Sequence, residues 1–331
     1  MQILVSGSLA IDRIMTFNGR FGDHIVPERV HQINLSFTVD GFNAYFGGTA
    51  GNIAYSLAML GRIFDQLTPR LIAAIGSDYR DYFTWLGENG IATDDIRIVN
   101  EEATASAFIV TDLSDNQITG FNPGAMKHAA GFDFGRLDPA DAINIVGPGN
   151  LTDMANFTAD AVDAGIYTIF DPGQSLPIWD ADGLADCISK AHLLVANDYE
   201  MALIGEKVGR DEAGLLELAG ALVITLGERG VRVITAEGDK LVLSVRTDNV
   251  VDPTGAGDAF RGGLILGLIH PVTAAHANQG GSFSSITLRQ MERAAQIGSA
   301  CAHFAIQQPG TQEYRYTREE LDAVLERAYG G

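Results

Sequence analysis

Three glycine-rich turns and the carboxylates beside them carry the chemistry that this chain could perform. In residues 251–263, VDPTGAGDAFRGG, the small residues Gly255, Ala256 and Gly257 precede an apolar helical segment. Their backbone N–H groups would stand at a helix start, where unpaired donors and the helix dipole favour an anion such as phosphate. Asp258 follows directly, within reach of a hydroxyl placed beside that anion. This arrangement suits phosphoryl transfer, in which positioning and charge stabilisation supply most of the catalysis. A plain aspartate cap on a helix after a glycine turn is the structural alternative.

A second turn, FGGTAGNIA at 46–54, also runs into a helix. Gly47 and Gly48 would let a ligand touch backbone, and Asn52 offers both a donor and an acceptor. The third element is SLAID at 8–12, after the first strand-like run. Ser8 lies in the turn, and Asp12 could accept two sugar hydroxyls or serve as a turn cap.

Elements that could position these residues follow from apolar patterning. Strand-like runs occur at 3–6, 71–75, 143–146, 166–170, 193–196, 222–226, 231–235 and 241–245. Helical periodicity occurs at 49–60, 79–89, 211–219, 258–269, 288–305 and 317–329. Alternation of the two predicts an α/β fold, a central mostly parallel sheet with helices on both faces, and ligands at the carboxyl ends of its strands. Residues 13–41, which include the alternating HQINLSFTVD, and residues 104–121, two strands about a polar Ser-Asp-Asn turn, fit that scheme poorly. They predict a small β lid inserted at two points, or else an edge extension of the main sheet. The large α/β unit would then comprise 1–12, 42–103 and 122–331.

Composition narrows the function classes. The 331 residues carry 42 acidic against 22 basic side chains, a net charge of −20 that repels nucleic acid. Only four lysines occur, so phosphate binding would fall to backbone amides and a metal. No apolar run is long enough to span a membrane. The N-terminus lacks the pattern of a secretory signal, and Cys187 and Cys301 form no C-x-x-C, which suits a cytoplasmic setting. A P-loop is excluded for want of G-x-x-x-x-G-K-[ST], and a Rossmann dehydrogenase because the first strand leads into GSLAID. Asp133-Phe134-Gly135 lacks the H-R-D loop and strand lysine of a protein kinase.

With Asn197–Glu200, NDYE, these motifs resemble the ribokinase-like (PfkB) carbohydrate and nucleoside kinases over nearly the whole chain. The similarity is greatest to bacterial-type adenosine kinases, through GRF (19–21), LSFTVD (35–40), GGTAGN (47–52), PGAM (123–126), DPGQ (171–174), NDYE and GTQEY (310–314). The resemblance implies a ribokinase-like fold and an ATP-dependent kinase acting on a nucleoside 5′-hydroxyl, adenosine before other nucleosides or free sugars. A nucleoside-binding regulatory protein on the same fold is the non-enzyme alternative. Asp258 matches the base, and Gly255, Ala256 and Gly257 the anion hole. Asp12, Gly48 and Asn52 match the sugar-hydroxyl positions, with Ser8 and Gly47 beside them. Phe121 and Gln174 look like purine contacts. Thr225, Gly227, Gly230 and Thr254 resemble ATP contacts. Asn197 and Glu200 match the N-x-x-E element that organises Mg²⁺ through water, and Asp252 with Thr254 a potassium site. A homodimer through the lid is also implied. Ala10 stands where sugar-specific relatives often carry Asn, and Ala107 where adenosine kinases present a ring. Phe108 would face the other side of its strand.

Overall fold

A computed structural model describes residues 1–24, 36, 38–64, 67–114, 116–269 and 286–330. The first strand, β1 (Gln2–Ser6), is apolar on both sides because it lies in the middle of a sheet. Ile3 and Val5 enter one core, and Leu4 enters the other. Among the described residues nine strands share this sheet, in the order β13-β12-β11-β10-β9-β8-β1-β4-β5. They are β4 (Thr68–Gly76), β5 (Ile96–Val99), β8 (Ala142–Val146), β9 (Tyr167–Phe170), β10 (Leu193–Asn197), β11 (Ala221–Thr225), β12 (Val231–Thr235) and β13 (Gly238–Val242). Pairing is parallel from β5 to β11, and the β12–β13 hairpin closes that end antiparallel.

Helices α1 (Thr49–Gly61), α2 (Arg80–Glu88), α7 (Ala256–Ile269), α8 (Leu288–Ala305) and α9 (Arg318–Tyr329) cover one face. Helices α3 (Leu151–Asp163), α4 (Ala181–Lys190), α5 (Asp198–Val208) and α6 (Glu212–Ala219) cover the other. Local signals set their starts. Thr287 with Gln290, Thr317 with Glu320 and Asn197 with Glu200 each close a reciprocal capping box.

A separate four-stranded sheet has the order β3-β2-β6-β7: β2 (Ala10–Thr16), β3 (Asp40–Gly47), β6 (Ala105–Thr111) and β7 (Gln117–Asn122). An edge extension of the main sheet is therefore not what forms. Its strands reach beyond 13–41 and 104–121, because β2 starts as the chain leaves β1 and β3 runs directly into α1. Most of HQINLSFTVD lies outside the described residues. The strand expected at 241–245 is displaced to Gly238–Val242. Pairing of Thr235 with Gly238 makes a tight hairpin, and that register decides where β13 lies. Helices α3, α4 and α5 were absent from the helical patterning above.

Candidate active site

The carboxyl end of β1 turns sharply at Ser8, and the start of α1 is fastened to that turn. The Thr49 N–H donates to Ser8 Oγ (3.0 Å) and the Ala50 N–H to the Ser8 carbonyl (3.1 Å). Gly48 caps the helix at φ +87°, and a Cβ there would meet Ser8 O, Leu9 Cα and Ala10 N at 2.6–2.8 Å. Only glycine lets the two turns lie this close.

Beyond the turn, Asp12 pairs with Tyr45 on β3 and with Ala107 on β6, and Ala107 pairs with Phe121 on β7. Directly paired residues share a face, so Tyr45, Asp12, Ala107 and Phe121 form one row across the small sheet. Phe108 takes the opposite face, where Arg13 lies over its ring. Burial, helped by the charge of Asp252, raises the Asp12 carboxyl above its ordinary range.

Helices α1 and α7 cross where Gly262 meets Ser56. A Cβ on Gly262 would stand 2.4 Å from Ser56 Oγ, which instead donates to the Ala259 carbonyl (3.2 Å). One turn earlier on each helix, Asn52 Nδ2 donates to Asp258 Oδ2 at 2.7 Å. Asp258 is the third residue of α7, and its side chain is engaged by Asn52 rather than capping its own helix. Its carboxyl is pushed up to about 6, first by burial and then by the nearby charges of Asp171 and Asp12, against the lowering effect of Arg261 and Asn52. Just before it, the Gly255 and Gly257 N–H groups have no hydrogen-bond acceptor among the described residues. The Ala256 N–H reaches the Pro253 carbonyl at 3.3 Å.

Arg261 is buried beside Asp258. It pairs with the buried Asp171 at the end of β9 and donates from Nη1 to the Gly257 carbonyl (2.9 Å). Its positive charge faces Asp171, Asp258 and Glu200. On the other side of that group, Asn197 and Thr225 are register partners at the carboxyl ends of β10 and β11. Asn197 Oδ1 accepts from the Glu200 N–H (2.7 Å), and Glu200 Oε2 accepts from the Asn197 N–H (2.9 Å). Burial raises the Glu200 carboxyl. Gly227 and Gly230, both at positive φ, shape the turn after Thr225. Asp252 Oδ1 accepts from the Thr254 N–H (2.9 Å) and Oδ2 from the Gly310 N–H (3.1 Å), which ties two loops together. Phe121 and Gln174 both present exposed side chains.

The pfkB family carbohydrate kinase model matches residues 8–317. The chain belongs to the pfkB carbohydrate kinase family. Members of this pfkB family are phosphotransferases with an alcohol acceptor, and so is this chain. A Burkholderia thailandensis nucleoside kinase in complex with inosine is 37% identical, with TM-score 0.82 over 100% of this chain and 98% of that one. The same kinase in complex with ADP-inosine is 38% identical, with TM-score 0.79 over 100% and 97%. A Methanocaldococcus jannaschii nucleoside kinase is 26% identical over 305 residues, covering 91% of this chain and 92% of its own. Fold and family thus agree with the ribokinase-like reading of the pfkB motifs. No helix among the described residues is long and apolar enough to cross a membrane.

Five residues of the site had not been singled out from sequence. Asp171 and Arg261 beside Asp258, and Thr311 and Gln312, which reach Asn52 Oδ1 at 2.8 and 3.0 Å, sit inside the segments DPGQ, GDAFRGG and GTQEY, yet nothing in their spacing pairs them with Asp258 or Asn52. Tyr45 joins Asp12 through strand register alone. Asp133-Phe134-Gly135 is an aspartate-capped turn, with Asp133 Oδ1 accepting from the Gly135 N–H (3.0 Å).

Proposed function

We propose that this chain is a nucleoside kinase that moves the γ-phosphoryl group of ATP to the ribose 5′-hydroxyl, with Asp258 as the general base. The observation that carries the reading is the Asn52–Asp258 contact beside the free amides of α7. A carboxyl held near 6 can accept a proton at neutral pH and return it without a large penalty. In this mechanism the ribose hydroxyls lie on Asp12, near the Gly47–Gly48 turn. Asp258 takes the 5′-hydroxyl proton as that oxygen attacks the γ-phosphorus, and ADP leaves. The free amides of Gly255 and Gly257 meet the charge that develops on the phosphoryl oxygens, and the Ala256 amide joins them by exchanging its long bond to the Pro253 carbonyl. The small sheet acts as a lid that excludes water and suppresses ATP hydrolysis.

The ATP phosphates would reach from the Gly255 turn toward Asn197 and Thr225, with Gly227 and Gly230 along the nucleotide. Glu200 spends Oε2 on its cap. Oε1 thus remains a hard oxygen of the kind that holds Mg²⁺ through water, where the ion would neutralise phosphate charge. Asp252 and Thr254 offer oxygens for a potassium ion, in loops that Asp252 already joins. The exposed edge strand β7, with Ile118 on the face opposite Phe121, supports a homodimer through the lid, which sedimentation of the full chain would test.

A purine would lie against Phe121, with Gln174 reading its edge. Segment resemblance favours adenosine as acceptor. Inosine is a second reading, favoured by the inosine complex of the B. thailandensis relative and by the space left at Ala107. The test is product analysis by phosphorus NMR with Mg-ATP and a purine nucleoside. We expect ADP and nucleoside 5′-monophosphate in equal amounts. Phosphate on another hydroxyl, or inorganic phosphate alone, overturns the assignment.

A further inference from the structure

The direction of the Asn52 amide is decided some distance from Asp258. Trp85 Nε1–H can only donate, and it meets Gln312 Oε1 at 2.9 Å. Gln312 Nε2 therefore points the other way, and its two hydrogens reach Asn52 Oδ1 (3.0 Å) and the Tyr82 hydroxyl oxygen (2.9 Å). The Thr311 hydroxyl lies 2.8 Å from Asn52 Oδ1 and 3.2 Å from the Phe46 carbonyl, and its single hydrogen is shared between these two acceptors with Asn52 the nearer. Only the NH₂ of Asn52 is left to face Asp258. A flipped Asn52 would press amide hydrogens together in a buried space and offer an oxygen to a carboxylate. Having accepted from Gln312, Tyr82 donates to the Gly47 carbonyl at 2.7 Å.

Gly51 keeps this space open. A Cβ there would stand 2.1 Å from the Tyr82 hydroxyl and 3.1 Å from Gln312 Nε2. Gln312 itself is 2% exposed, so its polar groups depend on these partners alone.

We propose that Gln312, oriented by Trp85, is a positioning residue that locks the Asn52 NH₂ onto Asp258 and keeps the base in its proton-accepting form. The proposal rests on Asp258 being the base. The charged and titratable groups around Asp258 are Arg261 on its own helix, Asp171 after β9, Asp12 on β2 and Tyr314 in the C-terminal segment. Substituting Gln312 or Trp85 by a neutral side chain changes none of them.

The test is kcat/KM against pH for the full chain with Mg-ATP and a purine nucleoside, in wild type, Gln312→Leu and Trp85→Phe, with Asp258→Asn as reference. Substrate ionisations are common to all and cancel in the comparison. An apparent pKa is also independent of how much enzyme is folded, provided that urea unfolding shows each variant fully folded across the pH range used. Trp85→Phe removes the indole N–H while keeping a ring against Tyr55 and Phe46. We expect the acid limb to rise by about one unit in Gln312→Leu, the scale of one hydrogen bond to a carboxylate. Trp85→Phe should shift it in the same direction by less. A limb that stays in place in every variant that folds, while Asp258→Asn is inactive, overturns the proposal alone. Near-normal turnover in Asp258→Asn removes the base reading itself.

Discussion

Gly47→Ala should weaken acceptor binding through Asp12 while leaving ATP binding intact. Gly47 lies outside the left-handed region, so alanine carries no backbone penalty there. The added Cβ would, however, stand 2.6 Å from Asp12 Oδ2 and 3.3 Å from its Cγ. Ordinary contact begins at 3.4 Å, so the carboxylate must swing by about 0.8 Å. A displacement of that size breaks a hydrogen bond whose usual range spans only about 0.5 Å. Charge-assisted bonds contribute about 1.5–3 kcal/mol each, so losing one of two ribose contacts should raise the nucleoside KM roughly 10- to 100-fold. Initial rates with nucleoside varied at saturating Mg-ATP, and the reverse, separate the two sites. Asp12→Ala should show the same pattern. Adding Gly47→Ala to Asp12→Ala should then cost little more, because the group that Cβ would displace is gone. A rise in ATP KM instead, or full additivity of the two substitutions, would refute the argument.

Three further outcomes follow from the same residues. Asp258→Asn should keep ATP binding, measured by titration calorimetry, while turnover falls by about 10² or more; near-normal turnover in a folded variant removes the base. Its stability should change with pH as well. The Asp258 carboxyl rises from 3.8 to about 6 on folding, so its contribution is fully present below 3.8 and is lost as pH rises through 6. Asp258→Asn should therefore gain on wild type by about 1–1.5 kcal/mol between pH 5 and pH 8 in urea unfolding, and an unchanging difference contradicts this. Arg261→Met should destabilise by about 3–5 kcal/mol, because Asp171 is left buried without its partner; a loss below 1 kcal/mol in urea unfolding would show the pair to be dispensable.

Much of the frame was legible in the sequence. Runs such as Leu193 to Ala196 are apolar without alternation because a central parallel strand is buried on both faces, and that pattern survives in any context. A glycine turn ending in aspartate also reads as a plain helix cap, and Asp258 stood out because FGGTAGNIA, SLAID and NDYE accompany it in the same chain. Pairings between distant segments were not legible. Gln312 lies 260 residues from Asn52, and Tyr45 meets Asp12 through a register that a one-residue slip would reverse. Helix α4, ADGLADCISK, buries Leu184, Cys187 and Ile188 on one face, but the stripe spans little more than one turn and the helix opens on Ala-Asp-Gly, which reads as a turn.

The central claim is that a nucleoside, rather than a free sugar, accepts the phosphoryl group. It is tested most directly by comparing kcat/KM for adenosine, inosine, guanosine, cytidine, ribose and fructose under saturating Mg-ATP. A base stacked on Phe121 gains about 1–3 kcal/mol that ribose lacks, so the purine nucleosides should lead ribose by roughly 5- to 150-fold. Ribose or fructose outperforming every nucleoside would contradict the account.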